Sequence, residues 1–429
     1  MGKEKILLVG DSIQGPTGFA CDGMGISWCL AKDFDVHYLG LQSVHDEKVK
    51  IMIEEESREV IQHANVPRGR DKWDFGKKSL PVLLDRLEPE ILLTINDIQM
   101  VQHVPNVMCP NSINLQVLDL PSKTYIGEEA MRMQLQGQLQ RFRERFPRET
   151  KWIQYAPQDG EPPMSQWSQI YKMADQCVAM SDYGKNIFKR YFDMEIPRIW
   201  HGVDTSIFND REKPSNLQDK FMVGNFNRNQ PRKFPVRAMR AFAKFAKDKP
   251  DVFLHMQMDF QDQFGWPLMY FAQLFGIQNK LVQPKPVGMS RQEVANTYNM
   301  WDVQINATGG EGFGLTTTES GACGVPNIIT DYTTSRELIV YGSPSPRGML
   351  AKVLDLHWER LDIAAVQRSL VDVDHMAECL DEYYKNPDIL KEHGKNAEVW
   401  TRKNCSWKVI APQWIDLIGN VLSGDNESD

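Results

Sequence analysis

The stretch GGEGFGLTTTE, residues 309–319, is the most informative part of this chain for its fold. It follows a short apolar run, Asp302–Asn306, that is typical of a buried strand, and it leads into a helix-forming segment, Thr316–Cys323. Glycines at a strand-to-helix turn let the backbone approach a ligand closely and point free N–H groups at it. The dipole of the following helix adds positive potential there, so the stretch predicts an anion site, most naturally for a diphosphate.

The two carboxylates of this stretch differ in placement. Glu311 lies in the loop, where it can accept hydrogen bonds from sugar hydroxyls, and Glu319 lies one turn into the helix, where it can reach a ribose diol. A second interpretation stays open, because Thr316-x-x-Glu319 also has the spacing of a capping box, in which Glu319 bonds only the backbone. The capping box does not account for the four glycines or for Glu311.

Short apolar runs alternate with helix-period segments on both sides of this stretch, as in parallel sheets covered by helices. The first set of predicted strands is Lys5–Gly10, Asp35–Gly40, Glu90–Ile95, Ile113–Leu118, Lys151–Ala156 and Asp175–Met180, with helices at Ser79–Leu87, Glu128–Phe146 and Asp182–Tyr191. The second set of strands is Lys220–Asn225, Val252–Met258, Lys280–Gln283, Asp302–Asn306 and Val325–Thr330, with helices at Pro235–Lys247, Gln263–Phe275, Ser290–Met300 and Thr316–Cys323. The last predicted helices are Leu361–Leu370, Met376–Tyr384 and Trp407–Leu422. The pattern predicts an α/β fold.

The alternation is interrupted at Pro197–Asp219, a segment rich in turn-forming residues, which predicts a boundary between two tandem α/β domains. Ligands of such sheets lie beyond the carboxyl ends of the strands, so two domains suggest a cleft between them. Residues 423–429 are predicted to be a disordered tail.

Composition excludes several classes of protein. The 49 Lys and Arg against 57 Asp and Glu give a net charge of −8, which argues against a general nucleic-acid binder. No apolar run approaches the ~18 residues of a membrane span. The seven cysteines are scattered without a C-x-x-C pair, so neither a zinc site nor a disulfide framework is indicated. We therefore expect a cytoplasmic protein.

The ten residues GNFNRNQPRK, 224–233, begin at the end of the first strand of the second set. They carry three cations close to that strand end. Such a cluster suits a diphosphate whose charge must be neutralised as it departs. Seen alone, the same cluster has a second interpretation as a solvated basic turn before a helix.

Residues 311–326 read E-G-F-G-L-x-x-x-E-x-x-A-x-G-x-P, which resembles the E-x7-E motif of retaining glycosyltransferases of family 4. The resemblance implies a GT-B fold, with two Rossmann-like domains facing each other across a cleft. It implies an acceptor-side domain at 1–203, a nucleotide-sugar domain at 204–404, and a helix at 405–422 that crosses back onto the first domain.

The resemblance also implies roles for single residues. Glu311 is expected to contact the donor sugar and Glu319 the ribose, and the rest of the donor loop is Gly312, Phe313, Gly314, Leu315 and Thr316. Lys233 corresponds to the lysine of the family's basic pair, with Arg228 preferred as the arginine and Arg232 as the other candidate. The loop Gly10–Phe19 resembles the glycine-rich loop that closes over the donor, which adds Gly18 and Phe19.

Many members of the family place a histidine of the first domain near the donor sugar, and this sequence departs from that pattern. The loop YAPQDGE at 155–161 resembles a variant in which an aspartate stands there instead. Asp159 is therefore a candidate for stabilising charge or for orienting the acceptor. A solvated loop carboxylate is the alternative interpretation.

The expected activity is a retaining transfer of a sugar from a nucleotide-diphosphate sugar to an acceptor hydroxyl, on one face of the sugar and without an essential metal. The alternatives are a nucleotide-sugar epimerase on the same scaffold and a non-catalytic binding subunit. The acceptor classes left open are a saccharide, a lipid-linked molecule, a protein and a modified DNA base. For the last of these, the basic run Arg141, Arg143, Arg145, Arg148 and Lys151 is a candidate contact, with a solvated helix face as its other interpretation.

Overall fold

The computed structural model of this chain describes residues 2–65, 74–108, 150–282, 284, 288–341, 345–360 and 365–424. Two predicted elements, the strand at 113–118 and the helix at 128–146, lie outside these residues, as do most of the basic run and most of the predicted tail.

The first sheet has seven strands in the order β3-β4-β2-β1-β5-β6-β7. All of its pairs are parallel except β3 with β4, which is antiparallel at the edge. Its strands are β1 Lys5–Gly10, β2 Asp35–Gly40, β3 Glu47–Ile53, β4 Glu56–Ala64, β5 Ile91–Ile95, β6 Lys151–Ala156 and β7 Gln176–Ala179. Its described helices are α1 Gly18–Leu30, α2 Ser79–Leu87, α3 Ile98–Val101, α4 Val104–Met108, α5 Trp167–Tyr171 and α6 Asp182–Phe192.

The strands that the sequence predicts in this half are the fully covered ones. Every residue of β5 is buried, as expected of a continuous apolar run with helices on both faces. The edge pair β3 and β4 was not predicted. In β3, exposed and buried residues alternate, because the strand packs on one face only, so it lacks a continuous apolar run.

The second sheet has six strands in the order β10-β9-β8-β11-β12-β13, and all of its pairs are parallel. Its strands are β8 Phe221–Phe226, β9 Val252–Gln257, β10 Leu281–Val282, β11 Val303–Asn306, β12 Asn327–Thr330 and β13 Gly348–Ala351. The helices between them are α7 Pro235–Phe245, α8 Leu268–Leu274, α9 Arg291–Tyr298, α10 Leu315–Ala322 and α11 Ser335–Ile339, with short 3-10 turns at Ser215–Leu217, Pro231–Lys233 and Gln278–Lys280. The predicted α/β class with two parallel sheets is confirmed.

A two-stranded antiparallel hairpin follows the second sheet, formed by β14 Val353–Arg360 and β15 Ala365–Val371. The predicted helix Leu361–Leu370 is therefore wrong where the structure describes it, since residues 365–370 belong to a strand. Residues 366, 368, 369 and 371 are buried and 367 and 370 are half-buried, and the segment pairs with β14 along its length. The apolar spacing of this short segment fits a helix and a strand equally well.

Three helices end the chain, α12 Val373–Lys385, α13 Pro387–Cys405 and α14 Trp407–Ser423. The chain passes from α13 to α14 beside residue 203, where the Val203 N–H donates to the Cys405 carbonyl at 2.6 Å. Helix α14 packs against α1, and its Trp407 and Trp414 are buried in the same core as β1, β5 and β6. The indole of Trp407 fills a slot between Gly25 and Gly202, where a Cβ on either residue would lie within 2.2 Å of the ring.

Within the described residues, no helix is both long enough and apolar enough to span a bilayer.

Candidate active site

The glycine-rich part of the stretch 309–319, residues 309–314, lies in the donor loop that joins β11 to α10. Gly310 has φ 150° and Gly314 has φ 111°, a region that residues with a side chain rarely adopt. A Cβ on Gly310 would lie 2.0 Å from the carbonyl oxygen of Asp159, which belongs to the loop after β6 in the first sheet. The glycine therefore permits a close approach between the strand-end loops of the two sheets.

Helix α10 begins at Leu315, with Gly314 as its N-cap, and no side chain of the described residues caps it. Thr316 lies inside the first turn, so the Thr316–Glu319 pair does not form the capping box that the spacing allows. Glu319 instead accepts a hydrogen bond from the Tyr298 hydroxyl of α9 at 3.0 Å. Its side chain is buried, and burial raises the pKa of Glu319 to about 7 although Arg291 and Tyr298 lower it.

Glu311 and Lys233 form a buried ion pair in which the ammonium lies 2.5 Å and 2.6 Å from the two carboxylate oxygens. The short 3-10 turn Pro231–Lys233 after β8 brings the lysine to the donor loop. Burial raises the pKa of Glu311, but the charges of Lys233 and Arg232 outweigh it and hold that pKa below its usual value. Burial, together with the charge of Arg232, lowers the pKa of Lys233 to about 8.

Arg232 is the second cation beside Glu311. Its Nη1 donates to the Gly310 carbonyl at 3.0 Å and lies 3.8 Å from Glu311 Oε2 and 3.5 Å from Asp159 Oδ2. Arg228, the preferred arginine of the sequence analysis, points elsewhere: it pairs with Asp262 at 3.1 Å, and 63% of its side chain is exposed. The structure thus brings Arg232 into contact with Glu311 and leaves the guanidinium of Arg228 largely in solvent.

Asp159 lies at the same place, between two arginines. Its Oδ1 is 2.9 Å from Nη1 of Arg368, a buried residue of β15. Burial raises the pKa of Asp159, but Arg232 and Arg368 outweigh it, so the pKa of this carboxyl is below its usual value. Asp159 is therefore not the solvated loop carboxylate of the alternative interpretation.

The remaining donor-loop residues pack around this cluster. Phe313 is buried and stacks on the His201 ring with centroids 5.8 Å apart, and a Cβ on Gly312 would lie 2.9 Å from Pro157 Cβ. Leu315 and Thr316 are half-buried at the start of α10, and the Thr316 carbonyl accepts from Gln304.

In the first-sheet loop, Gly18 is the exposed first residue of α1, and Phe19 packs on the edge of the first-sheet core. The N-cap of that helix is Thr17, whose hydroxyl oxygen accepts from the Ala20 N–H and donates its own proton to Asp11. The charged contacts described above are made without Gly18 or Phe19.

Sequence reasoning missed three groups at the site. Arg368 lies in the segment predicted as a helix, which gave no signal that it faces Asp159. Tyr298 had no signal either. Asp97 follows β5 with only Asn96 between them. These two polar residues at the carboxyl end of a parallel strand were a usable signal for a site.

No set of three or more His, Cys, Asp or Glu side chains is placed to hold a metal ion in the part of the chain that the structure describes.

With this geometry in view, the chain can be compared with known proteins. Residues 206–355 match the family model of glycosyl transferases group 1. The group 1 segment contains the two parts of the site that lie on the second sheet, the 3-10 turn with Lys233 and the donor loop with Glu311. A search of the curated proteins finds no match to this chain.

Solved structures share the fold over nearly the whole chain. A sucrose-phosphate synthase from Thermosynechococcus elongatus aligns with a TM-score of 0.68 and 14% identity, covering 98% of this chain and 100% of the other. A glycosyltransferase from Rickettsia africae aligns with a TM-score of 0.67 and 12% identity over 98% and 99%. The Anabaena protein HepE, in complex with UDP and glucose, aligns with a TM-score of 0.65 and 13% identity over 97% and 100%. At such identities the likeness shows the fold, a GT-B architecture that extends beyond the group 1 segment.

Proposed function

We propose that this chain is a retaining glycosyltransferase of the family 4 type that moves a sugar from a nucleotide-diphosphate sugar to an acceptor hydroxyl. The observation that carries the proposal is the buried Lys233–Glu311 pair, with Arg232 beside it, at the glycine loop that opens α10. The match of residues 206–355 to the group 1 glycosyl transferases supports the reaction class. The complex of HepE with UDP and glucose supports a nucleotide-sugar donor.

In this proposal the diphosphate of the donor lies against the N-terminus of α10 and the basic turn. Lys233 and Arg232 supply positive charge where the leaving phosphate gains negative charge, and Arg228, which is paired with Asp262 and largely exposed, is the third cation of the same stretch. The backbone of Gly312–Thr316 contributes N–H groups and the helix dipole. Because these cations and the helix N-terminus can balance the charge of the leaving phosphate, we expect transfer to proceed without an essential metal.

The two glutamates bind the two ends of the donor. Glu311 accepts hydrogen bonds from the sugar hydroxyls while Lys233 holds it ionised. Glu319 accepts from the ribose diol, with its second partner, Tyr298, fixing its rotamer. The bond from the anomeric carbon to the phosphate breaks, the acceptor oxygen forms its bond on the same face, and the acceptor proton passes to the departing phosphate oxygen. Asp159 stabilises the positive charge that develops on the sugar or orients the acceptor.

We place this activity in the cytoplasm, which the six free cysteines among the described residues support. The proposed acceptor is a saccharide, a lipid-linked molecule, a protein or a modified DNA base.

The test is to incubate the purified chain with UDP-, GDP- and ADP-sugars, with and without EDTA, and to follow nucleotide release. Thermal shift identifies the donor first, because a ligand that binds only the folded chain raises its apparent stability. Proton NMR of the product then reports whether the anomeric configuration is retained. A Glu319→Ala, Lys233→Ala double variant that folds and keeps full activity would contradict the assignment of the site. A 2-epimer formed without acceptor would favour the epimerase. Binding of the donor without turnover would favour a binding subunit.

A further inference from the structure

The hairpin β14–β15 connects the two sides of the site. The Ser369 N–H of β15 donates to the Gly309 carbonyl of the donor loop at 3.2 Å. Two residues earlier, the Gln367 N–H donates to the Glu161 carbonyl of the first-sheet loop at 2.9 Å. One strand is therefore bonded at once to the loop that carries Glu311 and to the loop that carries Asp159.

Arg368 stands between these two contacts and is only 2% exposed. Its Nε donates to Glu359 Oε2 on the paired strand at 2.8 Å, and its Nη1 lies 2.9 Å from Asp159 Oδ1 and donates to the Asp159 carbonyl at 2.5 Å. A guanidinium presents its donors in one rigid plane, so anchoring one edge on Glu359 fixes the direction of the edge that meets Asp159. Two of its contacts are to Asp159 itself, which restrains both the backbone and the carboxylate of that residue.

Asp159 is not fully enclosed by this arrangement. One third of its side chain, 33%, remains exposed, so the carboxylate keeps a face for a substrate. The charged and titratable groups that act on it are Arg368 of β15, Arg232 and Lys233 of the basic turn, Asp97 after β5, and Tyr183 of α6. Of these, the three cations favour the ionised carboxylate, whereas Asp97, whose own pKa burial and the charge of Asp159 raise to about 6, disfavours it.

We propose that Arg368 is a positioning residue, which holds the Asp159 carboxylate in the cleft beside Arg232 and Glu311 and thereby couples the first-sheet loop to the donor site through the hairpin. This inference rests on the proposed function, to which it adds a residue outside the group 1 segment. Arg368 touches no substrate in this account. It acts by keeping Asp159 charged and in one orientation, so that the transfer step finds a preorganised carboxylate rather than a mobile one.

The test is the pH profile of kcat at saturating donor, which reports groups that titrate in the donor complex and not the binding effect of Glu319, for Arg368→Gln and Arg368→Lys, each made with Asp159 intact and with Asp159→Asn. An opposite charge at this distance lowers a carboxyl pKa by at least about one unit. We therefore expect R368Q to move the acid limb of the profile up by about one pH unit, and R368K to restore part of that shift. In the Asp159→Asn background neither variant should change the profile, since the group whose titration they affect is gone. The matched control is Arg336→Gln, which removes an exposed arginine paired with Asp331.

A loss of activity that is equal at all pH values, or effects of R368Q and D159N that simply add, would overturn the inference and leave Arg368 a structural residue. If R368Q does not fold, Glu359→Gln replaces it, with the same shift expected at smaller size, and an unchanged profile would contradict the inference. If the parent chain turns over no donor, the proposed function fails by itself. The coupling is then read from the unfolding temperatures of R368Q, D159N and their double variant between pH 4 and pH 8, where the effects of the two single changes should not add at pH 8.

Discussion

Lys233 provides the sharpest prediction, because its removal separates stability from catalysis. Lys233→Met keeps the length of the side chain and deletes the charge that meets both oxygens of Glu311. Breaking a buried ion pair from one side typically costs about 3–5 kcal/mol. Arg232 remains 3.8 Å from Glu311, so we expect a smaller loss of about 2–3 kcal/mol. For a cooperative unit of about 150–250 residues, in which 1 kcal/mol shifts Tm by about 2–4 °C, that corresponds to a fall in Tm of roughly 4–12 °C.

The loss of activity should be larger and of a different origin. Lys233 is proposed to stabilise the departing diphosphate, and removing one such preorganised donor lowers kcat by about 10²–10³-fold. The companion variant Lys233→Met, Glu311→Gln no longer buries an unpaired carboxylate, so its Tm should recover most of the loss. Its activity should not recover, because the cation is still missing.

The assay combines nucleotide release under saturating donor with a thermal melt of each variant. Glu311→Gln alone is the control for the loss of the sugar-binding carboxylate. If the double variant regains activity together with stability, Lys233 acts only as the counter-ion of Glu311 and the proposed role is refuted.

Three further predictions concern the other parts of the site. Burial raises the pKa of Glu319 to about 7, so its carboxylate forms only as the pH rises through 7. Donor KM should therefore fall between pH 6 and pH 8, and Glu319→Gln should remove that dependence. The same raised pKa makes this residue's contribution to stability largest below its unfolded value and progressively lost as pH rises to 7, so the Gln variant should melt higher than the parent at pH 8. Arg228→Ala should raise donor KM and change the free energy of unfolding by less than about 1 kcal/mol, since the arginine of that ion pair is exposed. Arg232→Ala should lower both kcat and Tm. Gly310→Ala should cost about 1–3 kcal/mol of stability and most of the activity, because its Cβ meets Asp159, whereas Gly419→Ala in open space on α14 should not reduce either.

Each of these has an outcome that contradicts it. A pH-independent donor KM in the parent chain would mean that Glu319 does not bind the ribose as a carboxylate. Equal losses in the two arginine variants would assign both to the diphosphate, and an unaffected Gly310 variant would show that the close approach of the two loops is not needed for transfer. Initial-rate kinetics and thermal melts distinguish these results.

The covered strands of both sheets could be predicted from sequence because burial on two faces demands a continuous apolar run. The edge strand β3 could not, since it packs on one face and alternates charged with apolar residues, and the hairpin strand β15 could not, since polar residues interrupt its apolar run. Arg368 illustrates why β15 was missed. A single charged residue in an apolar segment is typical of the exposed face of a helix, and only the structure shows that Arg368 pairs with Glu359 and Asp159. The candidate residues of the donor loop are contiguous and could be named from the sequence, whereas Arg368 and Tyr298, which meet the loops of the site from distant segments, could not.

The choice between Arg228 and Arg232 shows another limit. Both arginines lie in the basic stretch 224–233, and sequence alone gives no basis for deciding which guanidinium faces Glu311. In the structure Arg232 belongs to the 3-10 turn Pro231–Lys233, which directs it inward, whereas Arg228 precedes that turn. Spacing in sequence predicts the presence of cations at the strand end, whereas their individual directions depend on the local backbone.

The packing of α14 on the first sheet has a consequence for the order in which the chain folds. Trp407, Trp414 and Ile418 complete a core most of whose other members come from the first 200 residues. During synthesis, that half of the molecule therefore leaves the ribosome with an open slot between Gly25 and Gly202. More than 200 further residues must be synthesised before the indole of Trp407 can fill this slot. A nascent chain stalled before Trp407 should hence expose apolar surface and recruit chaperones, while a short peptide spanning 405–423, supplied separately, should bind that slot and restore protease resistance.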